Sequence, residues 1–109
     1  MHPTHLPALT DHLLQVARTD SARRAARTVC GGSDHTLRQT VIALVAGADM
    51  SEHENPGEAT LQVLVGRVRV DWRSGSGELE AGDHAELPQE RHALVALQDS
   101  VVLLTAANL

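Results

Sequence analysis

Aromatic residues are all but missing from this chain: Trp72 stands alone, with no Phe and no Tyr. Modules that stack bases need exposed rings for the bases to lie on, so that class of nucleic-acid binder is excluded. Lysine is missing altogether, all nine basic residues being Arg. A Schiff-base lysine and a Lys-dependent phosphate loop are therefore ruled out. Against 14 acidic residues the nine Arg leave a formal charge of -5, which disfavours phosphate backbones and anionic membranes as partners. Cys30 is the only cysteine, so neither an intrachain disulfide nor a CxxC or four-Cys zinc site can form. No apolar run approaches the roughly 20 residues that span a bilayer, and no charged leader with an apolar stretch opens the sequence. The expectation is a cytoplasmic protein with no nucleic-acid or membrane partner.

What is present is aliphatic. Hydrophobic residues make up 42% of the 109 positions, enough for one core built from Leu, Val, Ala and Ile. Leu6, Leu9, Leu13 and Val16 recur at helical spacing, with Pro7 tolerated in the first turn, and predict a short amphipathic helix from Pro7 to Arg18. Too short to stand alone, it must pack on something larger. The expected organisation is a helical extension over 1–22 and a β domain over 23–109.

From Arg23 the period shifts toward two. Strands are predicted at Arg23–Val29, Leu37–Ala46, Thr60–Val65, Arg67–Trp72, Glu78–Ala81, His84–Leu87, His92–Leu97 and Ser100–Thr105. Gly31-Gly32-Ser33-Asp34 and Asn55-Pro56-Gly57 read as turns, and Ser74-Gly75-Ser76-Gly77 as a hairpin tip rather than a phosphate loop. Residues 48–54 read as a polar connection. Short strands punctuated by Gly and Pro indicate an all-β sandwich or small barrel.

Histidine is the commonest protein metal ligand and the usual acid or base near neutral pH. His53 lies in the polar stretch between two predicted strands and His92 begins a later one, so that the two rings could converge at a barrel mouth. From Gly47 through His53, Asn55, Glu58 and Ala59 to Gly66, the sequence resembles the first motif of the cupins, G-x5-H-x-H-x3-4-E-x6-G. Gly82, Pro88 and His92 resemble the second, G-x5-P-x-G-x2-H-x3-N. The likeness is to small single-domain cupins of the cupin-2 type and covers residues 35 to 105. It implies a double-stranded antiparallel β-barrel of jelly-roll form, often a homodimer, with a pocket inside.

The departures bear on function. His53 and His92 fill two of the four ligand positions of the resembled motif, while Asn55 stands for the second His and Ala59 for the Glu. Asn is a weak neutral ligand for a divalent transition metal, and Ala is none. Glu58 falls one residue early, which on a strand turns its side chain to the opposite face. By alternation Leu61, Val63 and Val65 face inward, with Leu94 and Ala96 across from them. His53, Asn55, Leu61, Val63, His92 and Leu94 then form either an apolar pocket with a polar end or a filled core.

Two functions follow. One is a small-molecule-binding cupin of unassigned activity, homodimeric, with Thr60, Gln62 and Leu64 free to pair sheets and the helix covering a barrel edge or opening. The other is a metal-dependent enzyme of the dioxygenase, isomerase or decarboxylase type using His53, Asn55 and His92. A metal-free enzyme with His92 or Glu54 as base is a further alternative. Arg23, Arg24 and Arg27 read as a solvated face, Trp72 as a packing or dimer-contact residue, and His84 as outward-pointing. No G-x-S-x-G serine elbow is present.

Overall fold

The apolar stripe of the N-terminal segment winds into α1 (Leu6–Thr19), with Pro7 in its first turn and Arg18 in its last. The helix stops at Asp20, whose N–H bonds back to the carbonyls of Val16 and Ala17. The Asp20 carboxylate then accepts the N–H of Ala22, turning the chain toward the sheet. The structure, a computed structural model, describes residues 1–32, 34–53 and 57–107, with 52 and 53 as backbone.

Among the described residues the chain continues as β1 (Arg24–Cys30), β2 (Leu37–Leu44), β3 (Asp49–His53), β4 (Glu58–Val65) and β5 (Arg67–Trp72). It then forms β6 (Gly75–Glu80), β7 (His84–Glu86), β8 (His92–Ala96) and β9 (Ser100–Ala107). All pairings are antiparallel. One sheet has the order β1-β2-β9-β4-β7, the other β3-β8-β5-β6. Between them lies a core of Ile42, Leu44, Leu61, Val63, Val68, Val70, Leu94, Ala96 and Val102.

Strand β2 ends as Val41-Ile42-Ala43-Leu44, buried on both faces. Ile42 and Leu44 point between the sheets, while Val41, Ala43, Val45 and Val101 meet Leu9, Leu13, Leu14 and Ala17 of the helix. A strand covered on both sides loses the alternation of a half-exposed one, hence its continuous apolar run. Strand β5 keeps the alternation: Val68 and Val70 are buried, and Arg67 and Arg69 face outward.

Several expectations need correcting. The two sheets are not closed into a barrel: β6 and β7 are separate edge strands, and β7, three residues long, pairs only with β4. The helix packs on the outer face of the five-stranded sheet, against its edge strand β1 and β2, and Leu64 joins it there. Residues 49–53, read as a polar connection, form β3, an edge strand whose polar character matches its partly solvated position. Gly75 and Gly77 belong to β6, the turn being at Arg73-Ser74. Val65 is 37% exposed rather than inward, because the β4–β9 register shifts between Val63 and Val65. Ser33, Glu54, Asn55 and Pro56 lie outside the described residues, and with them part of both predicted turns.

Gly66 makes the corner between β4 and β5 at φ +85, where a Cβ would stand 2.3 Å from the Asp99 carbonyl oxygen and 2.4 Å from Ser100 Oγ. Ser100 is fully buried, and its hydroxyl accepts the Arg67 N–H at 3.0 Å and lies 2.8 Å from the Gln98 carbonyl. This corner fixes where β5 enters the second sheet.

Candidate functional site

His92 opens β8 and is 2% exposed. Its Nδ1 lies 3.1 Å from the carbonyl oxygen of Glu90, an acceptor only, so Nδ1 carries the proton. In the neutral ring the lone pair is then on Nε2, which is shielded from solvent. The Glu90 side chain reaches back toward Ser74, 3.4 Å from its N–H, tying the loop before β8 to the β5–β6 turn. Across the four-stranded sheet the backbone register runs His53, His92, Trp72, Gly75. The two histidines singled out in the sequence are therefore backbone partners on adjacent strands, and Trp72 stands next in the same row.

Leu61, Leu94 and His92 converge on an interior space of about 20 Å³, closed by Ile42, Met50, Val70, Leu87 and Leu104. That suffices for about one water molecule. Val63 is fully buried in the same core, without lining that space. Asn55 lies outside the described residues. Ala59 is buried and Glu58 exposed, so alternation does turn the acid away from the core. Glu58 lines a shallow groove on the other side of β4, with Thr60, Glu86 and Gln89.

A larger space lies beside the small one. Val70 and Leu87 wall both, and beyond them opens a groove of about 370 Å³ lined also by Trp72, Gly77, Leu79, Ala85, Glu86 and Pro88. It occupies the gap between the unpaired edges of β6 and β7, and is thus a consequence of the sheets staying open. Two glycines of β6 stand beside the ring. A Cβ on Gly75 would lie 3.3 Å from Trp72 Cζ2, and one on Gly77 would lie 3.7 Å from Cη2. Sequence reasoning placed Trp72 in packing and Gly75-Ser76-Gly77 in a tip, and so missed this groove. The available signal was the alternation of Trp72 with Val68 and Val70, which predicts the ring on the inner face.

Charges on the outer face of the four-stranded sheet neutralise one another. Arg67 Nη2 bonds Glu78 at 2.6 Å and Arg69 Nε bonds Asp71 at 2.8 Å. The hydrogen bond to Glu78 raises the Arg67 pKa above its ordinary value, as the bond to Asp71 does for Arg69. None of these four residues lines the Trp72 groove.

No family model and no curated protein matches the sequence. Solved structures do. An RmlC-like cupin protein from Desulfovibrio desulfuricans superposes with a TM-score of 0.75 at 21% identity, covering 99% of this chain and 98% of that one. A conserved protein of unknown function from Streptococcus pyogenes gives 0.73 at 23% identity, covering 83% and 78%. A salicylate 1,2-dioxygenase from Pseudaminobacter salicylatoxidans gives 0.75 at 21% identity over 92% of this chain but only 33% of that one. The chain has the cupin fold.

Proposed function

We propose that this cupin-fold chain is a cytoplasmic, homodimeric module that binds a small molecule between the open edges of its two sheets, without a four-ligand metal centre. The observation that carries the reading is the groove of about 370 Å³, apolar on most of its lining and adjoining the space at His92. Small-molecule sites are concave, mostly apolar clefts of about 300–1,000 Å³ with few polar groups. This groove is at the small end of that range. The absence of a long apolar helix among the described residues fits a location off the membrane. The exposed outer edge of β1, which pairs only with β2, is an edge that a second copy can extend.

Trp72 is the only aromatic residue, so its fluorescence reports the groove alone. A screen of small molecules should find ligands that shift Trp72 emission saturably in the wild type and not in Gly77→Leu. That substitution fills the groove without steric conflict at its Cβ. Ligands that shift emission equally in both proteins would place binding elsewhere.

Against a four-ligand metal centre stands Ala59, a buried methyl at the position that the resembled motif gives to the acid. The second reading, a metal-dependent enzyme, is favoured by one fact: the backbone pairing of His53 with His92. Asn55 would have to complete such a site. Metal analysis of protein purified without chelators decides between the two. About one transition metal per chain, lost in His92→Ala, would replace the binding reading with the metal-dependent one.

A further inference from the structure

The polar groups that the sheets leave at this groove belong to the main chain. In the β4–β7 ladder the Leu87 N–H bonds the Ala59 carbonyl at 2.9 Å, and the Val63 N–H bonds the Asp83 carbonyl at 3.0 Å. Directly opposite residues of an antiparallel pair alternate between bonded and unbonded. Leu61 and Ala85 therefore exchange bonds, whereas Thr60 and Glu86 do not. The N–H and C=O of Glu86 point away from β4, across the edge of the sheet. Among the described residues no strand pairs with that edge, and neither group has a partner.

The Glu86 side chain takes another course. Ala85 and Leu87 face the groove, while the Glu86 carboxylate lies with Glu58 and Thr60 on the outer face of β4 and β7. Glu86 thus borders the groove through its backbone. The rest of the lining is aliphatic side chains, Gly77, Pro88 and the Trp72 indole.

These elements select by hydrogen bonding and shape. The aliphatic floor favours an apolar body, and the indole stacks on a flat ring. A wholly apolar ligand that displaces water from the Glu86 edge leaves a donor and an acceptor unmade, which is costly. In an extended strand the N–H and C=O of one residue lie side by side. A lactam presents the complementary pair, one carbonyl and one N–H on neighbouring atoms.

Resting on the reading of this groove as the binding site, we propose that its ligand is a small, flat lactam-type heterocycle that pairs with the Glu86 backbone as a strand would. Its carbonyl accepts the Glu86 N–H, its N–H donates to the Glu86 carbonyl, and its ring lies against Trp72 and Leu79.

The test uses three probes of one shape, oxindole, N-methyloxindole and indane, titrated against the intact protein with Trp72 emission as readout. Oxindole should bind about two- to ten-fold more tightly than N-methyloxindole, the size of one net hydrogen bond. Glu86→Pro deletes the N–H that makes no ladder bond, at the kind of edge position where Pro is tolerated. It should weaken oxindole by a similar factor and leave indane unchanged, indane being the check that the groove survives. Glu86→Gln, altered only on the outer face, should move neither. Oxindole binding no tighter than N-methyloxindole overturns the backbone pairing and leaves the groove as the site. So does an oxindole affinity unmoved by Glu86→Pro, or one moved as much by Glu86→Gln. Should Glu86→Pro lose indane as well, the ratio measured on the wild type decides alone. No response to any probe overturns both readings, as does a response that persists in Gly77→Leu and in Ala85→Leu, which fills the groove from the opposite wall.

Discussion

At the scale of single residues, the site is shaped as much by missing side chains as by those present. Trp72 lies close against Gly75, where a Cβ would stand 3.3 Å from the ring and the ring would have to give. Ala59 is the counterpart in the core: a buried methyl at the position where the resembled motif has a carboxylate. The motif glycines differ in why they are needed. Gly66 combines a left-handed backbone with contact to Asp99 and Ser100, whereas Gly82, at φ +93, has nothing within 4 Å of a built Cβ. Gly66→Ala should cost about 2–5 kcal/mol, the backbone conformation costing about 1–2 and the clash about 1–3. Gly82→Ala should cost only the conformational part, about 1–2 kcal/mol. Denaturant midpoints of the two variants measure the difference, and equal losses would refute the account of the β4–β5 corner.

At the scale of elements, one carboxylate joins three of them. Asp99, in the turn between β8 and β9, accepts the Ala46 N–H at 2.9 Å after the end of β2 and pairs with Arg18 of α1 at 3.1 Å. The Ala46 hydrogen bond first, and then the one from Arg18, lowers the Asp99 pKa below its ordinary 3.8. A carboxyl whose folded pKa is depressed contributes stability that is present above the unfolded value. That stability is lost as pH falls through the folded one. Asp99→Asn should therefore be less stable than wild type at pH 7, by about 0.5–1 kcal/mol given the exposure of the pair. The gap should close below the folded-state pKa of Asp99, where the wild-type carboxyl is protonated too. Thermal midpoints of both proteins across pH 2–7 check this; a gap constant with pH would mean that Asp99 acts through shape and not charge. The same turn was legible in the sequence as Gln98-Asp99, but its partners 81 and 53 residues away were not.

At the scale of the molecule, two cores share the same strands. Ile42, Leu44 and Val102 fill the space between the sheets, and the neighbouring Val41, Ala43 and Val101 carry the helix. Loosening one core should therefore loosen the other. Leu13→Ala, at a 3% exposed position under the helix, should cost about 2–5 kcal/mol. Helical circular dichroism and Trp72 fluorescence should then fall in a single transition, although Trp72 is on the far sheet. Helical signal lost ahead of Trp72 fluorescence would show the helix to be a separate unit.

The sequence by itself determined the local and periodic features. These are the helix and its apolar stripe, the alternation in β5 and in β4 as far as Val63, the strand at β2, and the two glycine-anchored motifs from which the cupin fold was expected. Each rests on interactions between residues close in the chain, or on a backbone conformation that a single residue type permits. Only the tertiary structure decided the rest. It left the sheets open between β6 and β7, turned the short polar β3 into an edge strand opposite His92, and shifted Val65 outward with a bulge. It also packed Trp72 against the core at a position where the ring lines the groove between β6 and β7. These outcomes depend on strand register, edge pairing and which side chains meet across the sheets, interactions between residues far apart in the chain that local sequence pattern does not encode.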